Sequence, residues 1–136
     1  MTHAHHDLAR TFFTALSSGV VPDDLLTEDV SVWTTLSGLS QGGRAHYQGG
    51  IRMLASIFSG GVTYSVDSLT AEDDRVAAEV QGRGVLVNGE TYHNVYVFML
   101  RIRDGRIASI AEHFDPRVTI EKIMPLMMAA MSKAQG

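Results

Sequence analysis

The sequence predicts an α+β domain: a curved antiparallel sheet forming a cone around N-terminal helices, with a further helix at the C-terminus. Three observations carry this. Residues 75–116 form three apolar-rich runs separated by Asn88–Gly89 and Asp104–Gly105, the dipeptides of tight hairpins. Two amphipathic helical stretches, 4–18 and 44–58, precede that meander. Helices that segregate from a run of antiparallel strands define the α+β class.

Along the chain, His5, Leu8, Phe12, Ala15 and Leu16 share one helical face, which Ala9 and Phe13 widen. Gly19 is a natural stop. Asp23 and Asp24 after Pro22 suggest a short helical turn through Leu26. Residues 29–35 alternate as a strand, and SGLSQGG reads as a loop. In the second helix Tyr47, Ile51, Leu54, Ala55 and Phe58 make the apolar stripe, ended by Gly60–Gly61. Residues 62–70 are a strand by alternation and β-branching. The three meander strands follow at 75–87, 91–103 and 106–114. Pro116 cannot continue a strand. Residues 119–133 are helical, lined by Ile120, Ile123, Met124, Met127, Met128 and Met131, and Pro125 kinks this helix or starts a fresh turn.

The hairpins set which side chains face inward. A two-residue turn at Asn88–Gly89 pairs Val87 with Glu90. Gln81 then lies opposite Tyr96, Glu79 opposite Phe98 and Arg83 opposite Asn94, all on one face. Both faces are then substantially apolar, so helices cover one and a second subunit covers the other. At the second turn, a two-residue loop pairs Arg103 with Arg106 and turns His113 inward. A three-residue loop with Gly105 in a bulge pairs Ile102 with Arg106 and turns Glu112 inward. The larger side chains of Ile110, Glu112 and Phe114 favour the bulged register.

Composition narrows the function. The chain has 136 residues, one domain's length, with 45% apolar content. No apolar run approaches the ~20 residues of a membrane span. The start, MTHAHHDLAR, has no apolar core and reads as no secretory signal. There are no cysteines, which excludes disulfides, thiolate metal sites and cysteine nucleophiles. A cytoplasmic location is the expectation. The net charge is −4 and the cations are scattered, against nucleic-acid binding. His3, His5 and His6 stand at the terminus with no second cluster to complete a metal site.

Five segments carry a likeness to a known family: the first helix with Phe12–Phe13, TEDVSVW, GRAHYQGGIRML, DRVAAEVQGRGVLVNGETYHNVYVFMLRIRDGRI and EHFDP. On these the chain resembles the SnoaL-like and ketosteroid-isomerase-like families of the nuclear-transport-factor-2-like superfamily, over nearly its whole length. The resemblance implies a curved sheet wrapped around helices, a deep pocket at its wide end and a homodimer. Members include polyketide cyclases, steroid isomerases, epoxide hydrolases, dehydratases and binding proteins without catalysis. The isomerases place their proton-abstracting carboxylate at the end of the first strand, where this chain has Val32, Trp33, Thr34 and Thr35. Their oxyanion acid has no match among residues 96–100. Limonene epoxide hydrolases use an Asp–Arg–Asp set. The Arg position resembles Glu79, the first Asp Gln81 and the second Asp Glu112, so one carboxylate falls in place. SnoaL-like cyclases use a pocket carboxylate as acid and base, for which Glu112 is the nearest counterpart.

The candidate catalytic residues are therefore Glu112 and Glu79, on strands separated by one neighbour, roughly 10 Å apart at the backbone. Desolvation and a nearby like charge raise a carboxylate's pKa, so that it shuttles protons at neutral pH without a cofactor. Gln81, Asn94 and Tyr96 are candidate oxyanion donors. Trp33, Tyr47, Phe98 and Phe114 complete the candidate wall for a small apolar ligand. The opposing reading is a satisfied structural network, with Glu79 on Arg83 and Glu112 on Tyr96. Three functions stay open: an acid/base enzyme acting on a ring-containing carbonyl compound, a non-catalytic small-molecule binder, and a module whose cavity is filled by its own side chains.

Overall fold

The structure is a computed structural model that describes residues 2–135. α1 (Thr2–Ser18) is followed by a 3-10 turn (Asp23–Leu25), β1 (Leu26–Thr34), β2 (Gly38–Ser40) and α2 (Gly43–Ser56). The meander is β3 (Phe58–Glu72), β4 (Arg75–Leu86), β5 (Thr91–Arg103) and β6 (Arg106–Phe114). α3 (Pro116–Val118), a π-helical segment (Thr119–Ile123) and α4 (Met124–Gln135) run on without a break. The class is α+β, as the sequence predicts.

The six strands lie in the order β2-β1-β6-β5-β4-β3 in one curved, unclosed sheet. It is mixed rather than wholly antiparallel, because β1 pairs with β6 in parallel. β2 is a strand where the sequence reads a loop. Gly38, Leu39 and Ser40 are too few to show alternation, and pairing with β1 recruits them. α1 presents Ala9, Phe12, Phe13 and Leu16 to the sheet, all essentially fully buried. The Phe13 ring meets Phe98 edge-on, with centroids 4.9 Å apart at 80°. A second apolar cluster of Ile57, Phe58, Val62, Leu86, Tyr92 and Ile123 ties α2's end and β3 to the C-terminal helix.

Both hairpin registers differ from the sequence expectation. At the first, only Gly89 of the dipeptide has positive φ, at +87°. The Gly89 N–H donates to the Leu86 carbonyl and the Leu86 N–H to the Glu90 carbonyl, at 2.9 and 2.8 Å. The loop thus holds three residues, Val87–Gly89, a type I turn closed by a left-handed glycine. β4 slips by one residue: Gly82 faces Asn94, Val80 faces Tyr96 and Ala78 faces Phe98. At the second, Asp104 and Gly105 both have positive φ, 54° and 76°, and Arg103 pairs with Arg106. That two-residue turn alone would turn His113 inward. Ala108 is then an extra residue in β6: Ile107 still pairs with Ile102, but Ser109 pairs with Arg101. The bulge flips the strand, so Glu112 lies opposite Phe98 and points inward while His113 points out.

With these registers β4 and β5 alternate cleanly. Val76, Ala78, Val80 and Gly82 join Tyr92, Asn94, Tyr96 and Phe98 on the buried face. The outer face keeps exposed Val85, Val95 and Val97. Of the described helices, none is long and apolar enough to cross a membrane.

Candidate active site

Two cavities lie between α2, the concave sheet and the C-terminal helix. The larger, about 210 Å³, is walled by Val32 and Thr34 of β1, Ser37 and Ser40 around β2, and His46, Tyr47, Ile51 and Leu54 of α2. The smaller, about 110 Å³, is aromatic: Phe58, Tyr64, Tyr92, Tyr96 and Phe114, with Thr119 and Ile123 from the π-helical segment. Leu54 and Glu112 belong to both walls. Each lobe alone falls short of the roughly 300 Å³ of a drug-sized pocket. They meet at one carboxylate.

Glu112 is held there by its backbone. In the parallel ladder Thr34 lies beside it, and in the antiparallel one Phe98. Thr35 clamps its carbonyl through both the N–H (3.0 Å) and the hydroxyl (3.3 Å), and the same hydroxyl accepts the Phe114 N–H (3.1 Å). The carboxylate itself makes no hydrogen bond and no ion pair with a described residue. Burial raises its pKa from 4.5 to about 7. No second carboxylate contributes to that rise, so desolvation alone accounts for it.

The tyrosines around it differ in their partners. The Tyr92 and Tyr96 hydroxyls bond each other. The Tyr47 hydroxyl is buried with no partner among the described residues. Burial first, and the charge of Glu112 next, hold the Tyr47 phenol well above its ordinary pKa. The same two causes raise Tyr64. For Tyr96, burial and the neighbouring Tyr64 and Tyr92 raise it. These groups stay protonated and are donors at any physiological pH.

Of the nine side chains singled out in the sequence, Glu112, Tyr47, Tyr96 and Phe114 share this site. Glu79 and Gln81 do not. The one-residue slip at the first hairpin turns both outward, where Glu79 accepts the Ser68 hydroxyl at 2.5 Å. Gln81 donates to Asp67 and accepts from Arg83, at 2.9 and 2.6 Å. Neither pair of the expected structural network forms: Glu79 is on Ser68 instead of Arg83, and Glu112 is not bonded to Tyr96. Trp33 also faces outward, packed against His113 with ring centroids 4.7 Å apart and planes tilted at 40°, because even-numbered residues of β1 are the inward ones. Asn94 faces inward but is committed: it donates to the Asp115 carbonyl (3.2 Å) and accepts the Val95 N–H (3.0 Å). It anchors Asp115, which caps α3. Phe98 is wholly buried in the core beneath the site.

Tyr64, Tyr92 and Leu54 are wall residues that sequence reasoning passed over as site residues. Tyr64 alternates in phase with Val62 and Val66, and Tyr92 in phase with Asn94, Tyr96 and Phe98, so the period-two pattern marked them. Among the described residues no group of three or more His, Cys, Asp or Glu is placed to hold a metal.

Comparison with known proteins fits this geometry. The family model described as a SnoaL-like domain matches residues 9–110. No curated protein matches significantly. Among solved structures, an NTF2-like protein from Anabaena variabilis is 24% identical with a TM-score of 0.73, covering 84% of this chain and 88% of that one. A candidate SnoaL-like polyketide cyclase from Jannaschia sp. CCS1 is 13% identical with a TM-score of 0.75, covering 89% and 92%. A limonene-epoxide-hydrolase-like epoxide hydrolase from M. tuberculosis is 14% identical with a TM-score of 0.69, covering 93% and 94%. At these identities the solved structures show a common fold.

Proposed function

This chain belongs to the SnoaL-like domain family, and we propose that it is a cofactor-independent acid/base enzyme of the cyclase, isomerase or dehydratase kind, acting on an apolar, ring-containing carbonyl compound. The fold relatives include proteins named for polyketide cyclisation and for epoxide hydrolysis, so the scaffold hosts small-molecule chemistry. The observation that supports catalysis here is Glu112: an unpartnered carboxylate at the junction of two cavities, with its pKa at about 7. At neutral pH both of its forms are populated. The ionised form takes a proton from carbon next to a carbonyl, and the acid form returns it. Glu79 has no part in this, because it lies on the other face of the sheet.

The test needs no natural substrate. 2-Tetralone is a neutral ring ketone whose hydrogens next to the carbonyl exchange with deuterium, followed by proton NMR in D₂O. The protein is expected to accelerate exchange, with a rate that climbs with pH to a plateau above about 7. Glu112→Gln is expected to lose about 10²–10⁴-fold. Glu79→Gln is expected to exchange as wild type. Full activity in Glu112→Gln would overturn the proposal. Binding without exchange would favour a non-catalytic binding protein.

A second copy of the chain on the outer sheet face is part of the same proposal. Val95 and Val97 are 55% and 42% exposed there, on the same face as the Trp33–His113 pair. Sedimentation equilibrium is expected to give twice the chain mass, and a monomer at all concentrations would rule this out.

A further inference from the structure

The smaller lobe has walls unlike those of the larger. Five aromatic rings close it, from Phe58 and Tyr64 of β3, Tyr92 and Tyr96 of β5, and Phe114 of β6. Neighbouring rings stand at steep angles: 75° for Phe58 and Tyr92, 62° for Tyr64 and Tyr96, and 55° for Tyr96 and Phe114, with centroids 5.5–5.8 Å apart. Rings set this way close round a space as the sides of a box do. At about 110 Å³ the space falls well below a drug-sized pocket of roughly 300 Å³, so what it holds is a small group. Glu112 is the one carboxylate on its walls, and no Lys or Arg stands there. Burial is the first cause that raises the Tyr64, Tyr92 and Tyr96 phenols, and the charge of Glu112 is a further one for each, so the carboxylate and these rings share one space.

Two features of this lobe favour a positive charge. The ionised carboxylate has no ion pair with a described residue, and a neutral apolar ligand laid on it would strip its remaining water and leave it unpaired. Each ring carries a negative face that attracts a cation within about 6 Å of its centre. The walls also select the kind of cation. A metal ion needs several ligands, and among the described residues no group of three or more His, Cys, Asp or Glu provides them. A primary ammonium brings three N–H donors that each need an acceptor. The other side-chain oxygens of the lobe are those of Thr119 and the tyrosines, and the Tyr92 and Tyr96 hydroxyls already bond each other. A fully methylated ammonium needs no acceptor: its methyl groups lie on the rings and its charge on the carboxylate.

We propose that the smaller lobe is a binding site for a methylated ammonium group, boxed by Tyr64, Tyr92, Tyr96 and Phe114 with its charge on Glu112. The site needs the charge of Glu112 and not its use as a base, so it goes beyond the acid/base reading and fails separately from it. Besides Glu112, the titratable groups on the walls of the two lobes are Tyr47 and His46 of α2, Tyr64 of β3, and Tyr92 and Tyr96 of β5. The tyrosines stay protonated, and His46 lines the larger lobe alone. The wall residues from β1, β2 and the π-helical segment are uncharged. For a permanently charged ligand, affinity therefore rises as pH climbs through the Glu112 pKa of about 7.

Tetramethylammonium chloride is the probe, and tert-butanol, with the same number of non-hydrogen atoms, is its neutral counterpart. Each is titrated against the protein at constant ionic strength, with proton NMR on the ligand methyl groups, which ring currents shift upfield inside an aromatic box. At about pH 8.5 tetramethylammonium is expected to saturate wild type below about 100 mM and to bind about tenfold more tightly than tert-butanol. At about pH 5 its affinity is expected to fall about tenfold, and Glu112→Gln is expected to show that lower affinity at both pH values. Phe114→Leu is expected to weaken binding about three- to tenfold with the pH dependence kept. In His46→Gln the pH dependence is expected to remain. No saturation in wild type, equal affinity for the two probes, or wild-type affinity in Glu112→Gln at about pH 8.5 would overturn the site. So would a pH dependence that vanishes in His46→Gln and survives in Glu112→Gln. Should Phe114→Leu fail to fold, the neutral probe on wild type and the Glu112→Gln titration decide the matter.

Discussion

Glu79 and Glu112 are the same side chain in opposite surroundings. Glu79 is solvated and rests on a serine hydroxyl; Glu112 is enclosed by leucine and aromatic rings and rests on nothing. The difference follows from Born desolvation: a carboxylate loses hydration on burial, so its neutral form is favoured and its pKa rises. The linkage sign is set by that rise. In the unfolded chain Glu112 has an ordinary value near 4.5, and in the fold about 7. Its contribution to stability is therefore fully present below the unfolded value and is lost as pH climbs through the folded one. The loss is on the order of 3 kcal/mol, a sizeable part of a typical domain's stability. No described residue forms an ion pair with Glu112 to offset that cost, and the proposed proton transfer would give it a use.

At the scale of elements, two turns and one bulge decide what the site contains. The two dipeptides adopt each other's expected geometries: Asn88–Gly89 sits in the three-residue loop and Asp104–Gly105 makes the two-residue turn. Gly82 completes the arrangement. A Cβ there would stand 2.9 Å from Cε1 of Tyr96 and 3.3 Å from Cε1 of Tyr64. The Tyr96 ring is itself packed among Phe98, Phe114 and Tyr64 at 5.6–5.8 Å, so it has little room to retreat. Gly82→Ala is expected to cost about 1–3 kcal/mol in urea denaturation, an overpacking effect larger than the entropy gained from the unfolded chain. An unchanged midpoint would show the tyrosine wall to be loose.

Much of this level was legible in the sequence. The ends of β4, β5 and β6 fall within a residue of those read from turn chemistry and alternation. What was not legible is parity. A strand's inward set depends on a single residue in a turn or bulge, and Ala108, an ordinary alanine, carries no mark that it is the extra one. The sequence predicts Glu112 inward through a bulge at Gly105, and in the structure it is inward through a bulge three residues later. The same kind of slip turns Glu79 and Gln81 outward, against the sequence expectation. The π-helical segment announced itself only through Pro125, whose missing N–H and ring disturb the preceding turn.

On the scale of the whole molecule, the class and element order follow from the hydrophobic periods. The cavity comes from contacts far apart in sequence. β1 lies parallel to β6, bringing Thr34 and Thr35 against Glu112 across 77 residues. Asn94 fixes the start of the C-terminal helix, which lowers Thr119 and Ile123 onto the smaller lobe. No local pattern encodes either closure, nor that Leu54 lines both cavities. This assembly encloses one unpaired carboxylate between two cavities, on a residue that is half-buried as a whole. Chemical denaturation of wild type and Glu112→Gln across a pH series tests it. The variant's stability advantage is expected to open from near zero at about pH 4.5 to a few kcal/mol at about pH 8.5. Two curves that stay parallel over that range would contradict it, and would mean that Glu112 is as well solvated in the fold as in the unfolded chain.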